Sequence, residues 1–191
     1  MLVLVRHGQT DANARGVLQG HADLPLSELG RRQARALAPL IPAEARVVVS
    51  PLRRAQETAA AFGRPVEVDE RWIELDYGEF DGRPIVDVPP ATWATWRADP
   101  HFAPPGGESL VTLGVRVRGA CEELLDEARE RDVVVVSHVS PIKAAIAWTL
   151  GVGDEVGWRL FVRVASITRV MIGPAGPTLH SFNEGVDVSL S

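Results

Sequence analysis

Residues 2–13, LVLVRHGQTDAN, decide how the rest of the chain is read. Residues 2–5 form a continuous, partly β-branched apolar run, the pattern of a strand buried on both faces. The run stops at Arg6 and His7, and Gly8 ends it. The same order recurs twice. Residues 46–50 (RVVVS) lead into Pro51, Leu52 and Arg53, and residues 133–137 (VVVVS) lead into His138, Ser140 and Pro141. Three buried strands therefore each pass a basic side chain to the loop that follows.

Outward from these strands, residues 10–26 read as a Gly, Asn and Asp-rich loop, long enough to be functional in a compact domain. Ser27 is the expected N-cap of a helix to about Leu40, with Leu29, Ala34, Leu37 and Leu40 facing inward. Ser50 as N-cap and Pro51 at the first helical position open a helix to about Phe62. Residues 65–68 carry a short strand signal. At about 72–107 the pattern breaks into glycine turns, prolines and one short helical segment around Trp93 and Trp96, an irregular cap. Residues 108–131 return to helical spacing through Leu110, Leu113, Val117, Leu124 and Ala128, and another helix begins near Ser140. Residues 160–164, 167–172 and 178–182 read as strands extending the sheet edge. Strands alternating with helices argue an α/β fold, with a largely parallel sheet and helices on both faces. The expectation is a single domain over residues 1–191 with no internal repeats. In such sheets ligands bind beyond the carboxyl ends of the strands, where strand order reverses. Arg6, His7, Arg53 and His138 are expected to converge there.

Composition narrows the function classes. With 46% hydrophobic and 24% charged residues the 191-residue chain is ordinary for a folded soluble domain. A net charge of −5 repels nucleic acid and anionic membrane, so neither is expected as a partner. Any anion site must be a local concentration of arginine. The single cysteine, Cys121, excludes a disulfide framework and a thiolate zinc site and fits a reducing cytoplasm. No signal core or membrane span is expected, since the most apolar helical stretch, 142–150, is too short to span a bilayer.

Two arginines and two histidines at one sheet edge make an electropositive pocket whose natural ligand is a phosphate. Guanidinium forks match phosphate oxygens and keep their charge at any ordinary pH. Neighbouring cations disfavour the imidazolium, so His7 between Arg6 and Arg53 is expected to be neutral, with a ring nitrogen free to attack phosphorus. The leaving alkoxide needs a proton. Glu74 is the candidate, since Trp72, Ile73 and Leu75 around it can desolvate a carboxyl; Asp76 and Glu79 are weaker alternatives. Trp93 and Trp96 are assigned to packing of the cap, the alternative being that one of them walls the substrate pocket. Arg31, Arg32 and Arg35 read as a solvated helix face, and His21, His101 and His180 as loop or surface residues.

At these positions the chain resembles the histidine phosphatase superfamily, the phosphoglycerate-mutase-like proteins. RHGQTDAN at 6–13, SPLRRAQETA at 50–59 and SHVSPIKA at 137–144 are similar to its three motifs, and the likeness extends through QGHADLPLSELG at 19–30 and PGGESL at 105–110. The resemblance implies a three-layer α/β/α sandwich with a six-stranded, mostly parallel mixed sheet, and no metal or other cofactor. It also implies that His7 becomes phosphorylated, that Arg6, Arg53 and His138 bind the transferred phosphoryl group, that Asn13 contacts phosphate, and that Glu74 is the proton donor. Thr10, Gln19, Gly20 and Val139, in the same motifs, join the expected phosphate- or substrate-binding set. Ala12 and Val139 stand where the mutase branch usually has Trp and Gly, and the chain has no room for the longer mutase insertion. The closer likeness is to the compact phosphatase branch, which includes alpha-ribazole phosphatases.

The expected activity is hydrolysis of a small phosphorylated metabolite through a phosphohistidine. Its rivals are a cofactor-dependent phosphoglycerate mutase, a catalytically silent phospholigand-binding protein, and a two-histidine metal hydrolase that would lack clustered acidic ligands. Specificity is expected in the 10–26 loop and the 72–107 cap. The C-terminal strands offer a sheet edge that a homodimer could cover.

Overall fold

Parallel pairing of two valine-rich strands sets the frame. In the computed structural model, which describes residues 1–186 and 188, β1 (Leu2–Arg6) lies parallel to β4 (Val133–Ser137), with Leu2 opposite Val133 and Arg6 opposite Ser137. The parallel half continues from β4 to β2 (Arg46–Val49) and then to β3 (Glu67–Val68). On the other side β5 (Ser166–Gly173) runs antiparallel to β1, and β6 (Gly176–Gly185) antiparallel to β5. The order β3-β2-β4-β1-β5-β6 is the six-stranded mixed sheet that the resemblance implies. Residues 187 and 189–191 of the expected 1–191 domain lie outside the described residues.

The side-chain period of two along each strand divides the core. Leu2, Leu4, Val133 and Val135 face α5 (Leu110–Glu130), α6 (Val139–Leu150) and the cap, while Val3, Val5, Val134 and Val136 face α2 (Glu28–Leu37) and α3 (Arg53–Ala60). Helices thus cover both faces in three layers. Each fully buried Val or Leu contributes roughly 1.5–3 kcal/mol, and this core holds the carboxyl ends of β1, β2 and β4 in place. The expected cap forms at Ser27, whose Oγ accepts from Gly30 N; at the start of α5, Ser109 Oγ accepts from Thr112 N. Within the 10–26 loop a single turn, α1 (Asp11–Ala14), is closed by a capping box between Thr10 and Asn13. The cap contains α4 (Pro90–Ala98) and short 3-10 turns at Gly78–Phe80 and Ile85–Asp87.

Two expectations are corrected. The helix after β2 begins at Arg53 with Leu52 as its N-cap, later than Ser50 and Pro51 would place it. Ser50 is held elsewhere: its N–H donates to Val136 O at 3.0 Å, and its hydroxyl bonds His138 Nε2 at 2.6 Å. Residues 160–164 are not a strand. A 3-10 turn, Asp154–Arg159, leads into an unpaired segment in which the carbonyl of Val162 accepts from Arg6 Nη1 at 2.6 Å.

The 2–13 stretch meets α2 at glycine. A Cβ on Gly30 would run into the Gln9 carbonyl oxygen, and a Cβ on Gly8 into the Gly30 carbonyl oxygen. Because both obstacles are backbone, Gly30→Ala is expected to lose about 1–3 kcal/mol by overpacking. A urea titration reads this as a lower midpoint at unchanged slope.

Candidate active site

The strand order reverses between β1 and β4, and the site is built on that boundary. His7 follows β1, with its N–H donating to Ser137 O at 3.0 Å, and His138 follows β4 as the N-cap residue of α6. The two rings lie 5.1 Å apart between centroids, and both residues are buried.

His7 Nδ1 is 2.7 Å from the carbonyl oxygen of Gly8. A carbonyl only accepts, so Nδ1 carries the hydrogen and Nε2 keeps its lone pair. Burial pushes the His7 pKa well below the ordinary histidine value; Arg54 and then Arg6 add to this, and the Gly8 carbonyl opposes it. His7 is therefore a neutral imidazole with its tautomer fixed. His138 is held from both sides. Its Nδ1 accepts from Arg54 Nε at 3.1 Å, and so its Nε2–H donates to Ser50 Oγ at 2.6 Å. Burial, then Arg54, lowers its pKa well below the ordinary value as well.

The second arginine of the site is Arg54, and the expectation for Arg53 is corrected. Arg53 points outward, with a side chain 58% exposed, and pairs with Glu57 one turn on at 2.6 Å. Arg54 is fully buried. Its Nη1 donates to Ala22 O at 2.9 Å and its Nη2 to Gly20 O at 2.8 Å, while Nε holds His138. The start of α3 at Arg53 produces this phase, since Arg54, Ala55, Thr58 and Ala59 then share the buried face. Arg6, half-buried, gives Nη1 to Val162 O, while its Nε has no partner among the described residues. Burial lowers its pKa to about 10, opposed by Glu74 and Tyr77 and reinforced by Arg54, which leaves it cationic at neutral pH.

Glu74 is 4% exposed and sits at the start of α6. Its Oε1 accepts from Leu75 N at 2.8 Å and from Ser140 N at 3.1 Å, and its Oε2 accepts from Val139 N at 3.1 Å. The apolar neighbours Trp72 and Leu75 are buried as expected. Val139, read as a donor to ligand, instead gives its N–H to Glu74. Gly20 N–H is likewise committed, to Asp81 Oδ1 at 2.7 Å. Thr10 Oγ1 donates to Gln19 Oε1 at 2.7 Å and accepts from Asn13 N at 3.1 Å. Asn13 Oδ1 accepts from Thr10 N at 3.1 Å. Gln19 Nε2 is buried without a partner among the described residues. This orphaned donor and Arg6 Nε suit an anion's oxygens. Among the described residues, no three or more His, Cys, Asp or Glu side chains are grouped to hold a metal ion.

The sequence model of the histidine phosphatase superfamily (branch 1) matches residues 2–185. The chain belongs to this family. It is 37% identical over 166 residues to a glucosyl-3-phosphoglycerate phosphatase of Mycolicibacterium vanbaalenii, covering 78% of this chain and 74% of that protein. It is 37% identical over 167 residues to phosphoserine phosphatase 1 of Hydrogenobacter thermophilus, covering 82% and 79% respectively. The fold is that of the mycobacterial glucosyl-3-phosphoglycerate phosphatase structure solved with VO3: TM-score 0.88 at 33% identity, over 96% of this chain and 99% of that one. Against other curated relatives, mycobacterial proteins it matches at 34% identity, the chain spans about half of their length (49%).

Several residues of the site escaped sequence reasoning. Arg54 could have been found from helix phase, since an Arg53–Glu57 pair at i,i+4 marks the outer face. Ser50 was assigned to a helix cap. His21, placed on a loop, has Nε2 3.0 Å from the Glu74 carbonyl and Nδ1 3.6 Å from Asp76. Trp93 and Trp96 pack the cap as expected, and together with Lys143 and Trp158 they line a cavity beside Val139 and Ser140.

The neutral histidines make stability pH-dependent. Below about pH 6.5 the unfolded chain protonates His7 and His138 while the folded chain does not, so stability falls as pH drops below that value. Above it these groups contribute no pH dependence. Urea midpoints should therefore decrease from about pH 7.5 to 5.5, and His138→Gln should reduce the proton uptake on unfolding by about one. A midpoint that rises on acidification would contradict the assignment.

Proposed function

We propose that the chain is a phosphomonoesterase acting on a small phosphorylated metabolite through a phosphohistidine on His7. The observation that carries this reading is the neutral His7, its Nδ1 bonded to the Gly8 carbonyl and its Nε2 therefore unprotonated, with Arg54 and Arg6 close enough to act on its charge. The substrate's phosphoryl oxygens are received by Arg6, Arg54, Gln19 Nε2 and Asn13 Nδ2. His7 Nε2 attacks phosphorus, the P–O ester bond breaks, and its electron pair stays on the departing oxygen. Glu74 protonates that oxygen. Oε2 of Glu74 accepts one N–H bond only, so its second lone pair is open to carry the proton. Water then attacks the phosphohistidine, passing a proton to Glu74 and freeing phosphate and His7. The guanidinium groups stabilise charge in both steps, and His138 orients Arg54. The names of the relatives support this choice of reaction, since both denote hydrolases of small phosphate monoesters.

The residues act as one domain with the cap over the site. Among the described residues, no helix is long and apolar enough to cross a membrane. The lone buried Cys121 suits a reducing cytoplasm, and the outer edge of β6 is where a second copy would pair, which light scattering in solution would reveal.

Incubation with a labile aryl phosphate and rapid quenching should trap an acid-labile, base-stable phosphoenzyme, absent in His7→Ala. Arg54→Ala should lower kcat/KM by about 10²–10³, whereas Arg53→Ala should stay within about twofold because its charge is solvated. Equal losses at the two arginines would contradict the site. Isomer instead of free phosphate from 3-phosphoglycerate and its bisphosphate would contradict hydrolysis.

A further inference from the structure

Beside the phosphoryl site lies a cavity of about 120 Å³ whose character differs from it. Its walls include Tyr77, Trp93, Trp96 and Trp158, with Val139 and Ser140 shared with the Glu74 site. The aromatic rings brace one another: Trp93 stacks on Trp96 at 5.5 Å and 20°, and Trp158 meets both edge-on at 6.2 and 6.4 Å. Into this box projects Lys143, the only lysine of the chain, from the second turn of α6. Burial lowers its pKa, with the Glu74 charge opposing and the Arg6 charge reinforcing, so the ammonium lies within electrostatic reach of the catalytic groups. Among the described residues no carboxylate pairs with it. The one acid lining the cavity, Asp154, is taken by Arg118 Nη1 at 2.8 Å.

A half-buried ammonium without a counter-ion, set among indole rings, is unfavourable unless a ligand completes it. An apolar cavity of ~150 Å³ is known to hold a benzene ring, so the space here is of the size of a single ring. We propose that this cavity receives the leaving group, and that the preferred substrate is a phosphate ester whose alcohol part carries a flat ring and an anionic substituent paired with Lys143. The inference rests on the phosphomonoesterase reading for the reaction and on the cavity alone for the substrate class. The ring lies in the cavity against the indoles that wall it, the carboxylate meets Nζ of Lys143, and the ester oxygen stays on the Val139 and Ser140 side beside Glu74. Lys143 is then a specificity-determining residue.

The test compares 3-carboxyphenyl phosphate with its neutral amide, 3-carbamoylphenyl phosphate. The wild type should favour the carboxylate by about tenfold in kcat/KM. Lys143→Met should reduce that ratio to near one, Lys143→Arg should restore part of it, and Trp93→Leu should raise KM for both aryl esters while leaving KM for phosphoserine within about twofold. A ratio unchanged in folded Lys143→Met, or a Trp93→Leu effect equal for aryl ester and phosphoserine, would overturn the proposal. If no phosphate ester is hydrolysed, the phosphatase reading fails by itself. The cavity is then read by tryptophan fluorescence on titration with 3-hydroxybenzoate: quenching that saturates in the wild type and weakens in Lys143→Met supports the assignment, and no saturable quenching overturns it.

Discussion

The structure depends on burying an uncharged imidazole between two guanidinium groups. His7 remains neutral first because burial strips an imidazolium of its solvation, and then because protonation would place a third cation beside Arg54 and Arg6. The Gly8 carbonyl then selects which nitrogen holds the hydrogen. Neither effect works if the ring moves by an ångström or so. The parallel ladder between β1 and β4 prevents that, through His7 N–H to Ser137 O and the register that sets Arg6 opposite Ser137.

The other charged groups are organised around the same constraint. Arg54, with no carboxylate in hydrogen-bonding contact among the described residues, directs its donors to the carbonyls of Ala22 and Gly20 and to His138, so that its position is fixed while its charge still acts on the pocket. Glu74 is tied by the first N–H groups of α6, which gives one helix start to an acid and its N-cap position to His138. Loops from three strands thus meet in one bonded network, and the cap closes over it with aromatic side chains.

The frame was legible in the sequence because buried parallel strands must be continuously apolar, and 2–5, 47–49 and 133–136 are. Alternation with amphipathic helices then sufficed for the layer order. Reading failed where a choice depended on phase or on tertiary bonds. Arg53 and Arg54 are adjacent, and only the true start of α3 decides which faces inward; that start moved because Ser50 serves His138 rather than the helix. Residues 160–164 have strand composition, yet Arg6 takes a carbonyl there that a ladder would have needed. Nor could the sequence show that the backbone N–H groups of Val139 and Gly20, both in the expected binding set, bond Glu74 and Asp81, distant in sequence. Of the cavity around Lys143 only the share of the cap was legible, because its other walls come from α5, α6 and the 3-10 turn after α6.

The protonation state of His7 is the central claim, and nitrogen NMR on chain labelled with ¹⁵N-histidine measures it directly, with His7→Gln to assign the signal. The account predicts a ring that is protonated on Nδ1, bare on Nε2, and unchanged as pH falls from about 8 to about 5.5, well through the ordinary histidine range. A His7 signal that titrates near pH ~6.5, or one showing the hydrogen on Nε2, would contradict it.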